Sequence, residues 1–138
     1  MEALIPDAIA GVSLDYRSSW RADPGDADMV ELASRLGIQV ADIAGGHATT
    51  SSDDFTAVIE VTRVRGADAE RLRDINLEAN AGSLVSGPTE EVVGGKQVIA
   101  VTAGLGLYYF YARGDVLYTV SVLDAAVAAQ VLAALSQP

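Results

Sequence analysis

After Gly95 the chain nearly stops carrying charge. Residues 1–95 hold 24 of its 28 charged side chains, seven basic and seventeen acidic; Lys96, Arg113, Asp115 and Asp124 are the rest, and they cancel. The net charge of −10 therefore sits on the first two-thirds. A strand-like, Ala- and Val-rich segment so poor in charge has to be buried on more than one side, inside its own domain or against a partner. The break is expected to mark the centre of one sheet, with the acidic part wrapped around it, rather than a border between two domains.

Gly11 to Ser19 alternates apolar and polar residues, with Val12, Leu14 and Tyr16 on one face, which predicts a half-buried strand. Asp23-Pro24-Gly25-Asp26 breaks it. Asp26 is placed to cap a helix through Leu36, with Met29, Leu32, Ala33 and Leu36 as its apolar stripe and Gly37 as its stop. A strand is expected within Val40 to Thr50. A stronger one runs from Thr56 to Arg65, where Val58, Glu60 and Thr62 alternate with Ala57, Ile59, Val61 and Arg63. Gly66-Ala67-Asp68 opens a second helix to about Asn80, with Leu72, Ile75 and Ala79 at helical spacing and Gly82 as its stop. Two hairpins follow, one across Gly94-Gly95 between Glu90 to Val93 and Gln97 to Thr102. The other joins Leu107 to Ala112 and Val116 to Leu123 at Arg113-Gly114-Asp115. Asp124 caps a last helix to about Leu135 with no charged residue inside it.

The order β-α-β-β-α-β-β-β-β-α predicts a single α+β domain over residues 1–138. Its expected form is two-layer, a mainly antiparallel sheet of about six to seven strands with three helices. Strand, Asp-Ala and helix occur in both Thr56 to Leu77 and Val116 to Leu135, which suggests a duplicated ββα unit.

Several stretches look familiar: Glu-Ala-Leu-Ile-Pro-Asp with Gly-Val-Ser-Leu at the start, Arg-Val-Arg-Gly-Ala-Asp-Ala-Glu-Arg-Leu over 63–72, and Val-Gly-Gly-Lys-Gln-Val over 93–98. To these add Tyr-Phe-Tyr-Ala-Arg-Gly-Asp-Val-Leu-Tyr-Thr-Val over 109–120 and the Asp-Ala-Ala-Val helix after it. Together they resemble uncharacterised secreted or lipoprotein α+β domains of high-GC bacteria. The resemblance implies an extracytoplasmic setting, secreted or at the cell surface, and carries over no catalytic residue.

Composition excludes more than it assigns. Absence of cysteine removes disulfides, thiol catalysis, thiolate metal sites and lipid attachment through a cysteine of this chain. An acidic chain is a poor partner for nucleic acid, which needs clustered Lys and Arg. No stretch reaches the roughly 18 apolar residues of a membrane span. Met1-Glu2-Ala3-Leu4-Ile5-Pro6 lacks a basic n-region and a cleavage site, so no signal peptide is expected there.

The candidate chemistry is thin. His47, the one histidine, is read as a loop residue, since Ser51, Ser52 and Asp53 lie too close along the chain to converge with it as a triad. Asp23, Asp26, Asp28 and Glu31 miss the calcium-loop spacing and are read as helix caps. Arg63, Arg65, Arg71 and Arg73 are read as a surface paired with Asp68, Glu70 and Asp74. Arg113-Gly114-Asp115 is read as a hairpin turn, and so are Gly94-Gly95 and Gly104-Leu105. Tyr108 to Tyr111 and Val116 to Leu123 are apolar on both faces, so one face needs a loop, a ligand or another subunit to cover it.

Trp20, Tyr109, Tyr111 and Tyr118 are accordingly the candidate ligand-binding or interface residues, with no catalytic residue, no metal ligand and no cofactor. The expected function is a non-enzymatic extracytoplasmic binding or protein-interaction module, with a protein partner or a homo-oligomer as its counterpart. The alternative is a carrier of a small apolar ligand or lipid held against the aromatic C-terminal strands.

Overall fold

The structure is a computed structural model and describes residues 4–14, 17–50 and 52–135. Ala10 and Gly11 both take positive φ, 51° and 79°. They fold the chain into a small antiparallel hairpin of β1 (Ala8–Ile9) and β2 (Val12–Ser13). The single strand expected over Gly11 to Ser19 is therefore replaced by this hairpin and a later strand, β3 (Ser18–Arg21). Its alternation had another cause: Ile9 and Leu14 are buried because the hairpin itself packs on the core. Tyr16 lies outside the described residues.

The rest follows the expected order. Helix α1 (Ala27–Leu36) starts where the Asp26 side chain accepts the Asp28 N–H at 2.9 Å. It stops at Gly37, whose φ of 71° turns its N–H back onto the Ala33 and Ser34 carbonyls. A 3-10 turn at Val40–Asp42 leads into β4 (Ile43–Thr49), then β5 (Ala57–Val64) and α2 (Ala69–Ala79), capped by Asp68. The helix ends at Asn80, as expected, where the Asn80 side chain donates to the Asn76 carbonyl, and a second 3-10 turn takes up Ala81–Ser83. Then come β6 (Ser86–Val93), β7 (Lys96–Ala103), β8 (Gly106–Arg113), β9 (Val116–Val122) and α3 (Ala125–Ala134), capped by Asp124. β6 starts earlier than the expected Glu90, and its pairing shifts register between Ser86 and Thr89.

Seven strands make one wholly antiparallel sheet in the order β3-β4-β5-β9-β8-β7-β6. The low-charge block runs from the central β9 through β8 to β7, with the acidic part supplying both edges. The antiparallel α+β class holds, but the helices divide between the two faces instead of forming one layer. On one face α3 buries Val127, Ala128, Val131 and Leu132 against Ile59, Val61, Tyr109, Tyr118 and Val120, joined by Ile5, Ile9 and Leu14. On the other, α1 and α2 bury Ala33, Leu36, Ala69, Leu72 and Ile75 against Ile43, Val64 and Leu117. Side chains of a strand alternate between faces, so β9 serves both cores, with Tyr118 on one and Leu117 on the other.

This division removes the duplicated ββα unit. Aligning Asp68 on Asp124 sets Val61, which points to the α3 face, onto Leu117, which points to the α2 face. A two-fold axis relating the antiparallel neighbours β5 and β9 would keep both helices on one face. They lie on opposite faces, so the echo reflects a shared way of starting a helix after a strand.

Gly94 shows how closely one hairpin meets α3. Its φ is 60°, and a Cβ built on it would lie 2.5 Å from the Ala129 carbonyl oxygen and 2.7 Å from the Ala133 nitrogen. Glycine is required there for both the turn and the approach. Among the described residues no helix is long and apolar enough to cross a membrane.

Candidate functional site

The three candidate tyrosines belong to the closed face. Tyr109 and Tyr111 are each 6% exposed and Tyr118 is fully buried. Tyr111 and Tyr118, directly paired across β8 and β9, stack with ring centroids 5.8 Å apart. The Tyr118 hydroxyl donates to the Leu4 carbonyl at 3.1 Å, which ties the N-terminal segment over the sheet. Arg17 adds bonds from its guanidinium to the Ile5 and Pro6 carbonyls. The face that needed a cover thus has one, made of α3 and residues of this chain's own start. An apolar ligand finds its place against these rings already filled by side chains.

Burial governs the chemistry of these phenols. It disfavours the charged phenolate and pushes Tyr118 up to about 12, with the neighbouring Tyr111 adding to the rise. Tyr109 is raised as well, by burial first and then by the Glu91 carboxylate. Lys96, at 8% exposure the one buried charged residue among those described, sets its ammonium 5.7 Å from the Tyr111 ring centroid. Its aliphatic stem covers apolar surface while the cation rests on a π face.

Trp20, the fourth candidate, stands apart from the tyrosines. β3 pairs Trp20 with Gly45, and the indole lies over that glycine so closely that a Cβ there would run into the ring. The ring is 38% exposed. Since Gly45 shares the face of Ile43, Trp20 belongs to the α2 side of the sheet.

His47 is a correction. It sits within β4 rather than in a loop, directly opposite Glu60 on β5. One line of paired residues crosses all seven strands on the α2 side: Ser18, His47, Glu60, Thr119, Phe110, Ile99 and Glu90. Ser51 falls outside the described residues. Other polar clusters are occupied locally. Asp23 accepts the Gly25 N–H, Arg73 pairs with Asp74 at 3.0 Å, and Arg71 donates to the Arg35 carbonyl. Arg63 reaches Asp115 at 3.1 Å instead of the helix carboxylates, within the Gly114-Asp115 turn that the Arg-Gly-Asp sequence makes.

The open region of the molecule is on the α2 side. Helix α2 lies over β5, β9 and β8, and beside it a groove of about 730 Å³ extends across β8, β7 and β6. Glu70 and Arg73 of α2 form one wall, and Glu90, Val92, Gln97, Ile99 and Ala112 face it from the sheet. Ile99 is half-buried, while Glu90, Val92 and Gln97 are exposed, Val92 at 70%. The groove ends at β6, the edge strand of the sheet among the described residues, exposed along nearly its whole length. Of these residues the sequence singled out only Glu70 and Arg73, as part of a charged surface. The hairpin that holds Gln97 and Ile99 was expected, but only the strand order makes it an edge.

Such a surface offers aliphatic contact, carboxylates and unpaired backbone amides, which together suit a polypeptide better than a buried small molecule. Comparison of the chain with protein-family models, with curated protein sequences and with solved structures finds no match.

Proposed function

We propose that this domain is a non-enzymatic binding or protein-interaction module whose working surface is the open half of the α2 side and the β6 edge beside it. The observation that carries the reading is the groove of about 730 Å³ between α2 and the β6–β8 half of the sheet, walled by charged side chains and ending at a free edge. The tyrosines support it from the other direction, since the Tyr109 and Tyr118 rings are spent on the core, and Tyr111, stacked on Tyr118, also borders the groove. The extracytoplasmic setting is part of the proposal and rests on the family resemblance of the sequence.

Isotope-labelled protein titrated with mixed pools of short peptides and, separately, of small metabolites tests this reading. Peptide-induced amide shifts centred on Arg73, Gln97, Ile99 and Ala112 are the expected result. Shifts produced only by metabolites, or only at residues far from these, overturn it.

A further inference from the structure

We infer that Glu90 to Val92 of β6 is a docking edge for an extended, lysine- or arginine-bearing segment of a partner protein, which pairs with it as an eighth strand. This rests on the interaction-module reading and names the partner's chemistry.

The geometry follows from the hairpin. Gly94 and Gly95, with φ of 60° and 78°, close a two-residue turn between the paired residues Val93 and Lys96. In such a hairpin the closing pair exchanges both hydrogen bonds, and bonded and non-bonded pairs then alternate along the ladder. Val93, Glu91 and Thr89 therefore bond to β7. Val92 and Glu90 turn their N–H and C=O groups outward, where the sheet has no further strand among the described residues. An incoming antiparallel strand would gain about four backbone hydrogen bonds there. The register is continuous from Thr89 to Val93, so the irregular pairing at Ser86 leaves this stretch regular.

Side chains decide the occupant. Glu90 and Val92 lie on the groove side, and Glu91 projects from the opposite face near Tyr109. A strand laid on this edge thus meets a carboxylate on each face and one exposed valine. A second copy pairing antiparallel through the same edge, with Glu90 opposite the other copy's Val92, would set Glu91 against its own copy, and like charges facing each other across strands are unfavourable. The chain's −10 charge adds to that repulsion and draws a cationic segment instead. The other edge, β3, is four residues long and carries Arg21 rather than acids.

The test uses an end-blocked peptide, Thr-Val-Val-Lys-Lys-Thr-Val, whose lysines fall opposite Glu91 and Glu90 in antiparallel register, against the same peptide with glutamates for lysines. Slowed amide exchange at Glu90 and Val92 with the lysine peptide alone, weakening as salt rises, is expected. Val92→Pro removes one outward N–H and is tolerated at a sheet edge. It should weaken binding by about tenfold or more. Glu90→Lys with Glu91→Lys should do the same without touching the backbone, so a folding defect in the proline variant leaves the test intact. Undiminished binding in both variants overturns the edge while leaving the module reading standing. Equal binding of both peptides overturns the cationic partner. Loss of a wild-type dimer in Val92→Pro, with no peptide binding, assigns the edge to a second copy and overturns the proposal.

Discussion

The two faces of the sheet are closed by different means. The α3 face is closed: an uncharged helix, the N-terminal hairpin and three tyrosines fill it, and its exposed helical surface is largely alanine, with Ala125, Ala126, Ala133 and Ala134 outward. The α2 face is covered only in part, by two amphipathic helices, and the remainder carries His47, Glu60, Thr119, Ile99 and Glu90 at partial or full exposure. A helix without charge can be soluble on its outer side if that side is alanine, the best helix former and the smallest apolar burden. The uncharged helix thus goes with the closed face, while the strands of the low-charge block contribute to both.

The strongest way to break this contrast is to cut one side chain on each face. Leu132→Ala, at a fully buried α3 position, should cost about 3 kcal/mol in urea unfolding, and Ile99→Ala, on the half-buried groove floor, about 1 kcal/mol. Equal losses would mean that the faces are equally packed. Gly94→Ala should cost about 2 kcal/mol, because a Cβ meets the backbone of Ala129 and Ala133. Gly114→Ala, with φ of 60° but open space around it, should cost about 1 kcal/mol, and the difference measures how tightly α3 holds the hairpin.

Alkaline titration sharpens the same point. The folded chain keeps the Tyr118 proton up to about pH 12, whereas an unfolded tyrosine releases it near 10. Stability from this group is intact below pH 10 and falls by on the order of 2 kcal/mol as pH rises through 10 to 12. Denaturation series across that window should show the fall in the native protein and a shallower one in Tyr118→Phe; parallel slopes would place the phenol in contact with water. The smallest effect belongs to the open side. Gly45→Ala should lift the indole of Trp20 off the sheet, red-shifting its fluorescence at a cost of about 1 kcal/mol. An unchanged spectrum would mean that the ring does not rest there.

Local signals were legible in the residues themselves. Asp26, Asp68 and Asp124 each mark a helix start through a side-chain bond to the backbone two residues on, and Gly37 marks a stop. Gly94-Gly95 and Gly114-Asp115 mark turns. The Ala10-Gly11 turn was hidden because alanine rarely takes positive φ, so the N-terminal hairpin was missed. His47 was misplaced because glycines at 45 and 46 weaken the strand signal ahead of it, although Gly45 lies within β4 under the Trp20 indole. The four aromatic candidates failed to form one surface because strand periodicity assigns residues to faces without saying which face a helix will cover.

The sequence by itself determined the α+β class and, from α1 onward, the succession of helices and strands along the chain, because caps, turns and side-chain alternation act over a few neighbouring residues. Only the tertiary structure decided that the helices divide between the faces, that the tyrosines are sealed by the chain's own start, and that β6 is an edge beside a groove. Those outcomes depend on strand order and on which helix crosses to which side, contacts between residues far apart in the chain that no local pattern encodes.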